Sequence, residues 1–305
     1  MLRYAFHTLA LIGATLTLVA CGSASDSSSD GGDSDTQVTG QISTDSVESA
    51  AQVGTVAASG TSAGSTGQES VSYAYAADNE ADTQTRSLPG AALPCDEGGQ
   101  MQVTRSNESF SLEFVQCMND DGSYVNGSMQ VQRTDNEDGT TNMSATYGEF
   151  EVTEADGNSV YIDGAILYSI QDYITGTMSL TSSRFESRVT EDGETNSVVL
   201  TDYNYQVVSS SSRGVVVNYD FYVTNENGTF HVWTEGNMSY ATGDEGLNGI
   251  LYIEGANAIL TATLTSDSQS ATAYLSLDVD KDGTEDLSGE MTQTAFLGES
   301  LSRLD

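Results

Sequence analysis

The sequence predicts an all-β protein, an antiparallel meander of about a dozen strands that closes as a barrel or a two-sheet sandwich after a disordered tether. Three observations carry that expectation. From about Gln100 to Phe296, residues rich in Val, Ile, Tyr, Phe and Thr alternate with polar ones, the period of a strand with one wet face. Asp-Gly and Asn-Gly pairs interrupt the alternation at hairpin intervals. The chain has only two prolines, Pro89 and Pro94, and both stand ahead of these runs.

Taken in order, the runs begin with Phe110, Leu112 and Phe114, and continue with Val160, Ile162, Ile166, Tyr168 and Ile170. The clearest pair sets Val199, Thr201, Tyr203, Tyr205 and Val207 against Val215, Val217, Tyr219, Phe221 and Val223. Asp202, Asn204, Gln206, Asn218 and Asp220 fall between them as the polar face. Ala271, Ala273, Leu275, Leu277 and Val279 close the series. Turns are expected at Asp121-Gly122, Asp138-Gly139, Asp156-Gly157, Asp192-Gly193, Asn227-Gly228 and Asp282-Gly283. A barrel and a sandwich both hide sheet edges, and the pattern does not choose between them. The apolar face is short of leucine and rich in tyrosine, whose hydroxyl needs a partner when buried. A solvent-facing tyrosine ladder is the favoured reading and a tyrosine-lined cavity the other.

Ahead of the strands, residues 1–20 read as a signal peptide: Arg3, then an almost uncharged run through Ala10, Leu11, Ile12, Leu16, Leu18 and Val19. Leu18-Val19-Ala20-Cys21 resembles the lipobox of bacterial lipoproteins. The resemblance implies a lipid-carrying Cys21 as the mature first residue, with palmitate among its acyl chains. Multiple chains make membrane release negligible, at about 0.8 kcal/mol per buried methylene. Gly22 stands where an aspartate would resemble an inner-membrane retention signal, so in a Gram-negative cell the outer membrane is expected. Residues 21–70 are expected to be a lipid-anchored linker, because from Gly22 to about Gly67 the sequence is Ser, Asp, Gly, Thr and Ala without an aromatic. Asp45 and Glu48 have capping-box spacing ahead of Val47, Ala50, Ala51 and Val53, which predicts at most a short helix there. Residues 71–305 are expected to form the β domain.

Charge narrows the function. The chain carries 45 acidic residues against nine Lys and Arg, and Lys281 is its only lysine. Nucleic-acid binding needs clustered basic residues, so it is excluded as an expectation, and no basic patch is available for anionic lipid heads. The membrane partner is therefore reached through the anchor alone. With Cys21 assigned to lipid, Cys95 and Cys117 remain for a compartment where disulfides persist, and they are expected to pair at roughly 3 kcal/mol of stabilisation.

Catalytic machinery is sparse. Processing leaves His231 as the sole histidine, so a His-rich zinc site is excluded and a Ser-His-Asp triad would have to centre on it. The residue sits in Phe230-His231-Val232-Trp233, opposite Phe230 and Val232, where a packing or solvent-facing role is expected. No glycine-rich phosphate loop occurs. The best constellation is Asp278-Val279-Asp280-Lys281-Asp282-Gly283-Thr284-Glu285-Asp286, whose D-x-D-x-D-G spacing resembles the first half of an EF-hand calcium loop. It predicts Asp278, Asp280, Asp282, Thr284 and Asp286 as Ca²⁺ ligands in a hairpin. Gly289 stands at the twelfth position in place of the bidentate glutamate.

The stretch from Cys95-Asp96-Glu97-Gly98-Gly99 through Phe114-Val115-Gln116-Cys117 to Asn126-Gly127-Ser128 looks like a recurrent pattern of uncharacterised proteobacterial β-rich lipoproteins and implies no activity. Together these features predict a non-catalytic, lipid-anchored β protein of the cell envelope that binds an envelope protein or a small ligand. The alternatives are a small-ligand carrier with a tyrosine-lined pocket and a carboxylate-dependent hydrolase.

Overall fold

In the computed structural model the described residues are 36–61 and 92–298, apart from 96, 107–108, 120–121, 137–139, 173–176, 192, 211–213, 241–245 and 268–269. The expected signal peptide and Cys21 lie outside them. Alternating residues form strands as expected: β1 (Ala92–Pro94), β2 (Gly98–Arg105), β3 (Ser109–Met118), β4 (Tyr124–Asp135), β5 (Thr141–Thr153), β6 (Ser159–Asp172), β7 (Thr177–Glu191) and β8 (Glu194–Ser210). Then come β9 (Gly214–Asn225), β10 (Gly228–Thr234), β11 (Met238–Tyr240), β12 (Gly249–Glu254), β13 (Ile259–Ser266), β14 (Ala271–Asp278) and β15 (Leu287–Thr292). Neighbours pair in chain order, except that β12 follows β10 and β11 branches from β9. The path is open, with β1 and β15 at its ends, so of the two expected closures the barrel is not formed. Pro94 lies within β1, an end strand that tolerates a missing N–H.

Contacts divide these residues into two units. The first holds β1 to β7 and β8 up to Val199; the second runs from Leu200 onward and also takes in residues 36–61.

In the first unit, Phe110, Leu112, Phe114, Tyr147, Phe150, Ile162, Ile166 and Phe185 are buried. Phe114 contacts Phe150, Phe150 contacts Tyr147 and Tyr147 contacts Phe185, at ring-centroid distances of 5.9, 6.2 and 6.2 Å. Simple alternation would send Cys117 away from Phe114 and Phe150 away from Tyr147. Bulges at Gln116 and Glu149, both with φ of 48°, reverse the parity and return Cys117 and Phe150 to the inner face. An Asn-Gly or Asp-Gly pair on the next strand supports each bulge. The Gln116 N–H donates to Asn126 Oδ1 at 3.4 Å, and the Glu149 N–H donates to Asp163 Oδ1 at 3.2 Å. On the far side, Gly127 lies so close to Glu149 that a Cβ would sit 2.1 Å from its carbonyl oxygen, which only glycine permits. Cys117 forms the expected disulfide with Cys95, at a Cα separation of 5.4 Å.

The second unit departs from the expected linker. Residues 36–61 are ordered and lie against its strands. Ser46 caps the helix α1 by accepting from the Ser49 N–H at 3.2 Å; Val47–Ala50 passes through a 3-10 turn at Ala51–Val53 into helical residues 54–61. Ile42, Val47, Ala50, Val53, Val56, Ala57 and Ala58 are buried. The Thr39 and Gly40 N–H groups both donate to the Thr229 carbonyl, at 3.0 and 2.8 Å, and Ala256 N–H donates to the Gly40 carbonyl at 2.6 Å. Asn257 acts as a surrogate strand: its Oδ1 accepts from Ile42 N–H and its Nδ2 donates to the Ile42 carbonyl, both at 2.8 Å.

Composition misleads here because the segment supplies small residues and the sheet supplies the rings. A Cβ on Gly40 would lie 2.3 Å from the Phe230 ring, and one on Gly54 would lie 2.2 Å from the Phe296 carbonyl oxygen. A second helix, α2 (Gln293–Leu297), completes the layer. Its buried Gln293 donates from Nε2 to the carbonyls of Leu247, Thr265 and Thr272 and accepts the Leu247 N–H.

The tyrosines divide by strand parity. Tyr203, Tyr205 and Tyr219 are buried, with Tyr205 stacked on Tyr219 at 5.2 Å and Tyr203 against Phe221 at 5.3 Å. The favoured solvent-facing ladder therefore does not describe these three. Burial raises the Tyr203 phenol pKa and pushes that of Tyr205 up to about 12. A third bulge, at Asp202 with φ of 50°, makes Leu200 the inward residue in place of Val199 and Thr201. The cavity beside Tyr219, lined by Ala57, Val232, Leu251 and Leu264 among others, has a volume of about 10 Å³ and holds one water at most.

If residues 36–61 complete the second core, Ile42→Ala costs about 2 to 5 kcal/mol of stability, and Gly54→Ala lowers the melting temperature despite a higher helix propensity. Thermal melts of the two variants check this; a dispensable tether would leave both melts unchanged.

Candidate functional site

The strands that bury Phe221, Phe230, Val232, Leu251 and Ile253 on one face present Asp220, Tyr222, His231, Trp233, Tyr252 and Glu254 on the other. Register brings these into rows. His231 pairs with Tyr222 on β9 and Glu254 on β12; Trp233 pairs with Asp220 and Tyr252 on the same strands. Four rings stack across three strands. Tyr222 and His231 lie 4.4 Å apart, His231 and Trp233 4.6 Å, and Trp233 and Tyr252 5.0 Å, with interplanar angles of 14°, 26° and 8°. Such offset contacts contribute about 0.5 to 1.5 kcal/mol each beyond area burial.

Carboxylates hold the edges of the stack. His231 Nε2 donates to Asp220 Oδ1 at 2.8 Å, and its Nδ1 lies 3.8 Å from Glu254 Oε2. The other Glu254 oxygen accepts from Lys281 Nζ at 2.7 Å. Tyr252 Oη donates to Glu235 Oε2 at 2.9 Å, and this hydrogen bond to a carboxylate raises the Tyr252 pKa, with desolvation adding to it. Of the packing or solvent-facing roles expected for the histidine, packing is the one seen: its ring stacks against Tyr222 and Trp233, and its Nε2 is hydrogen-bonded to Asp220. Among the described residues, no serine or cysteine nucleophile is hydrogen-bonded to His231.

The aspartate loop adjoins this face. Along the cross-strand row, Glu254 is followed by Ile259 on β13 and Asp278 at the end of β14, so the loop's first residue lies in line with His231. Its backbone folds around Asp278, whose Oδ1 accepts from Asp282 N–H at 3.1 Å and whose Oδ2 accepts from Gly283 N–H at 2.8 Å. Lys281, with φ of 59°, and Gly283, with φ of 85°, supply the left-handed turns. Asp286 returns to the site by accepting from Val279 N–H at 2.8 Å.

Of the five expected ligands, the structure brings Asp278, Asp280 and Asp286 together, with one oxygen of each within 4.8 Å of the others. Calcium takes oxygen ligands at about 2.3 to 2.6 Å, so two oxygens on one ion stand no more than about 5 Å apart, a condition this trio meets. Asp282 is used otherwise, its Oδ1 accepting from Thr284 N–H at 2.8 Å, and Thr284 is exposed. Gly289 lies in β15 against Val47, so nothing from the twelfth position contributes. Beside the loop, Glu285 is held below its ordinary pKa by hydrogen bonds from Ser288 and Ser276, with Tyr274 adding to them.

The aromatic row escapes a reading of β10 alone because its members come from three strands and meet only through register. The signal was the rarity of its parts. The chain's only tryptophan, its only lysine and one of its two histidines fall at one place. Comparison of the chain with family models, with curated proteins and with solved structures gives no match.

The Tyr252 hydroxyl is expected to titrate above the ordinary tyrosine value of about 10, because its phenolate would face the Glu235 carboxylate. Glu235→Gln removes that charge and moves the titration back toward the ordinary value. Following the labelled Tyr252 ring carbon by NMR from pH 8 to 12 checks this, and an unmoved titration in the variant would contradict the pairing.

Proposed function

We propose that the protein is a lipid-anchored, non-catalytic binding module of the cell envelope, with the solvent face of its second unit as the working surface and calcium at the Asp278–Asp286 loop as its stabiliser. The observation that carries this reading is the meeting of Tyr222, His231, Trp233 and Tyr252 in one stacked row edged by Asp220, Glu235 and Glu254. Aromatic side chains with carboxylates at their edges are the residue types of a recognition surface, whereas hydrolysis by acid–base chemistry needs a group positioned on a nucleophile or a raised carboxylate. Glu285, held low and therefore ionised, and the half-exposed Glu254 fit electrostatic recognition better.

Two features of the sequence support the address. Leu18-Val19-Ala20-Cys21 has the form of a lipobox, and with 45 acidic residues against nine Lys and Arg the chain is poorly suited to bind anionic lipid heads directly. The outer membrane follows from Gly22 in a Gram-negative cell. Calcium is supported by the convergence of Asp278, Asp280 and Asp286 and by the mutual repulsion of five acids within nine residues.

Metabolic labelling with palmitate tests the anchor: the wild-type chain carries label and fractionates with membranes, and Cys21→Ser loses both properties. Label on the variant, or none on the wild type, contradicts the anchor. Melting in EDTA and again in about 10 mM calcium tests the loop. For an extracellular-type site with Kd of about 0.1 to 1 mM, binding stabilises the fold by about 1.4 to 2.7 kcal/mol, seen as a rise of a few degrees. Asp280→Asn abolishes the rise and Glu290→Gln leaves it in place; equal shifts in both variants would contradict a specific site.

A further inference from the structure

The stacked row names the kind of partner it fits, because the first unit contains the same parts with their complement already in place. There, on neighbouring strands, the Arg188 guanidinium lies 3.7 Å from the centre of the Tyr161 ring, and its Nε is 3.1 Å from Glu186 Oε1. A planar cation thus rests on a tyrosine face with a carboxylate at its edge, an arrangement that favours guanidinium, which stacks on rings, over the compact, strongly hydrated ammonium. The second unit repeats the tyrosine and the carboxylate in Tyr252 and Glu235, which hydrogen-bond at 2.9 Å, yet no arginine occurs among its described residues. The row of rings ends at Tyr252: Trp233 covers one face, and its register partner on the other side is Thr261, which has no ring.

Charge points the same way. Asp220, Glu235, Glu254, Asp278, Asp280 and Asp286 lie on or beside this face, and among the described residues the basic groups there, His231 and Lys281, are already engaged by Asp220 and Glu254. The surplus is negative with or without a calcium ion in the loop. We propose that this face docks an arginine-bearing segment of a cationic partner protein, with one guanidinium extending the Tyr222–His231–Trp233–Tyr252 stack beyond Tyr252 and pairing with Glu235. The inference rests on the working surface proposed above and adds the chemistry of its occupant.

Trp233, the only tryptophan of the chain, lies within the row and reports binding at this face alone. The experiment titrates the full chain, in a neutral detergent at about 150 mM salt, with hexa-arginine and with hexa-lysine, reading Trp233 emission. The expected result is a saturable change with hexa-arginine at least about five-fold tighter than with hexa-lysine, in line with the added stacking of guanidinium on an aromatic face. Tyr252→Ala, with its fold verified by an unchanged melt, removes the preference for arginine while retaining weak, salt-sensitive binding. Glu235→Gln weakens hexa-arginine more than hexa-lysine.

Equal affinity for the two peptides, a preference that survives Tyr252→Ala, or binding without a change in Trp233 emission would each overturn the proposal. The anchor and the calcium loop are read by palmitate label and by melting, so failure of the arginine preference in a labelled, calcium-responsive protein sinks the partner's chemistry alone.

Discussion

The second unit depends on one steric constraint, the close approach of residues 36–61 to phenylalanines of the sheet and of α2. Phe221, Phe230 and Phe296 fill the space where side chains of Gly60, Gly40 and Gly54 would stand. The segment brings little apolar area per residue, yet it covers the inner face because its backbone comes close to the rings, and interiors are close-packed. The polar groups that this approach would strand are satisfied within it: Thr229 and Ala256 pair with Thr39 and Gly40, and Asn257 pairs with both the N–H and the carbonyl of Ile42. A buried backbone is tolerable only on those terms.

With one face closed, the other is free for recognition. Along β9, Tyr219 and Phe221 face the core while Asp220 and Tyr222 face water, so the residues that stabilise and the residues proposed to bind alternate on one strand. Docking of residues 36–61 also fixes the reach of the proposed anchor. From Cys21 to the first described residue the chain spans at most about 50 Å when fully extended, at about 3.3 to 3.6 Å per residue. A linker ending at residue 70 would have allowed about three times as much. With the proposed anchor, the second unit would lie within that reach of the membrane surface.

Much of this was legible in the sequence. Period-two alternation located the strands, the Cys95–Cys117 pair followed from compartment and count, and the D-x-D-x-D-G spacing marked the loop. The largest failure comes from contact between residues remote in sequence. Residues 36–61 look like solvated linker until their partners are known, and those partners are distant; Ile42 and Asn257 are separated by 215 positions. The bulges at Gln116, Glu149 and Asp202 place non-glycine residues at positive φ inside strands, which propensity disfavours, so the parity reversals that bury Cys117, Phe150 and Leu200 were not foreseen. In the loop, Asp286 was among the expected ligands, whereas the diversion of Asp282 to Thr284 depends on local backbone geometry that spacing does not encode.

Amide hydrogen exchange on the intact chain tests most directly the claim that residues 36–61 are part of the second core. The N–H groups of Gly40 and Ile42, bonded to Thr229 in β10 and to Asn257 between β12 and β13, should exchange only with the opening of this part of the sheet, at a protection similar to that of Val232 and Phe221. Exchange of Gly40 and Ile42 at the rates of an unstructured peptide, while Val232 and Phe221 stay protected, would contradict the account and restore the segment to a tether.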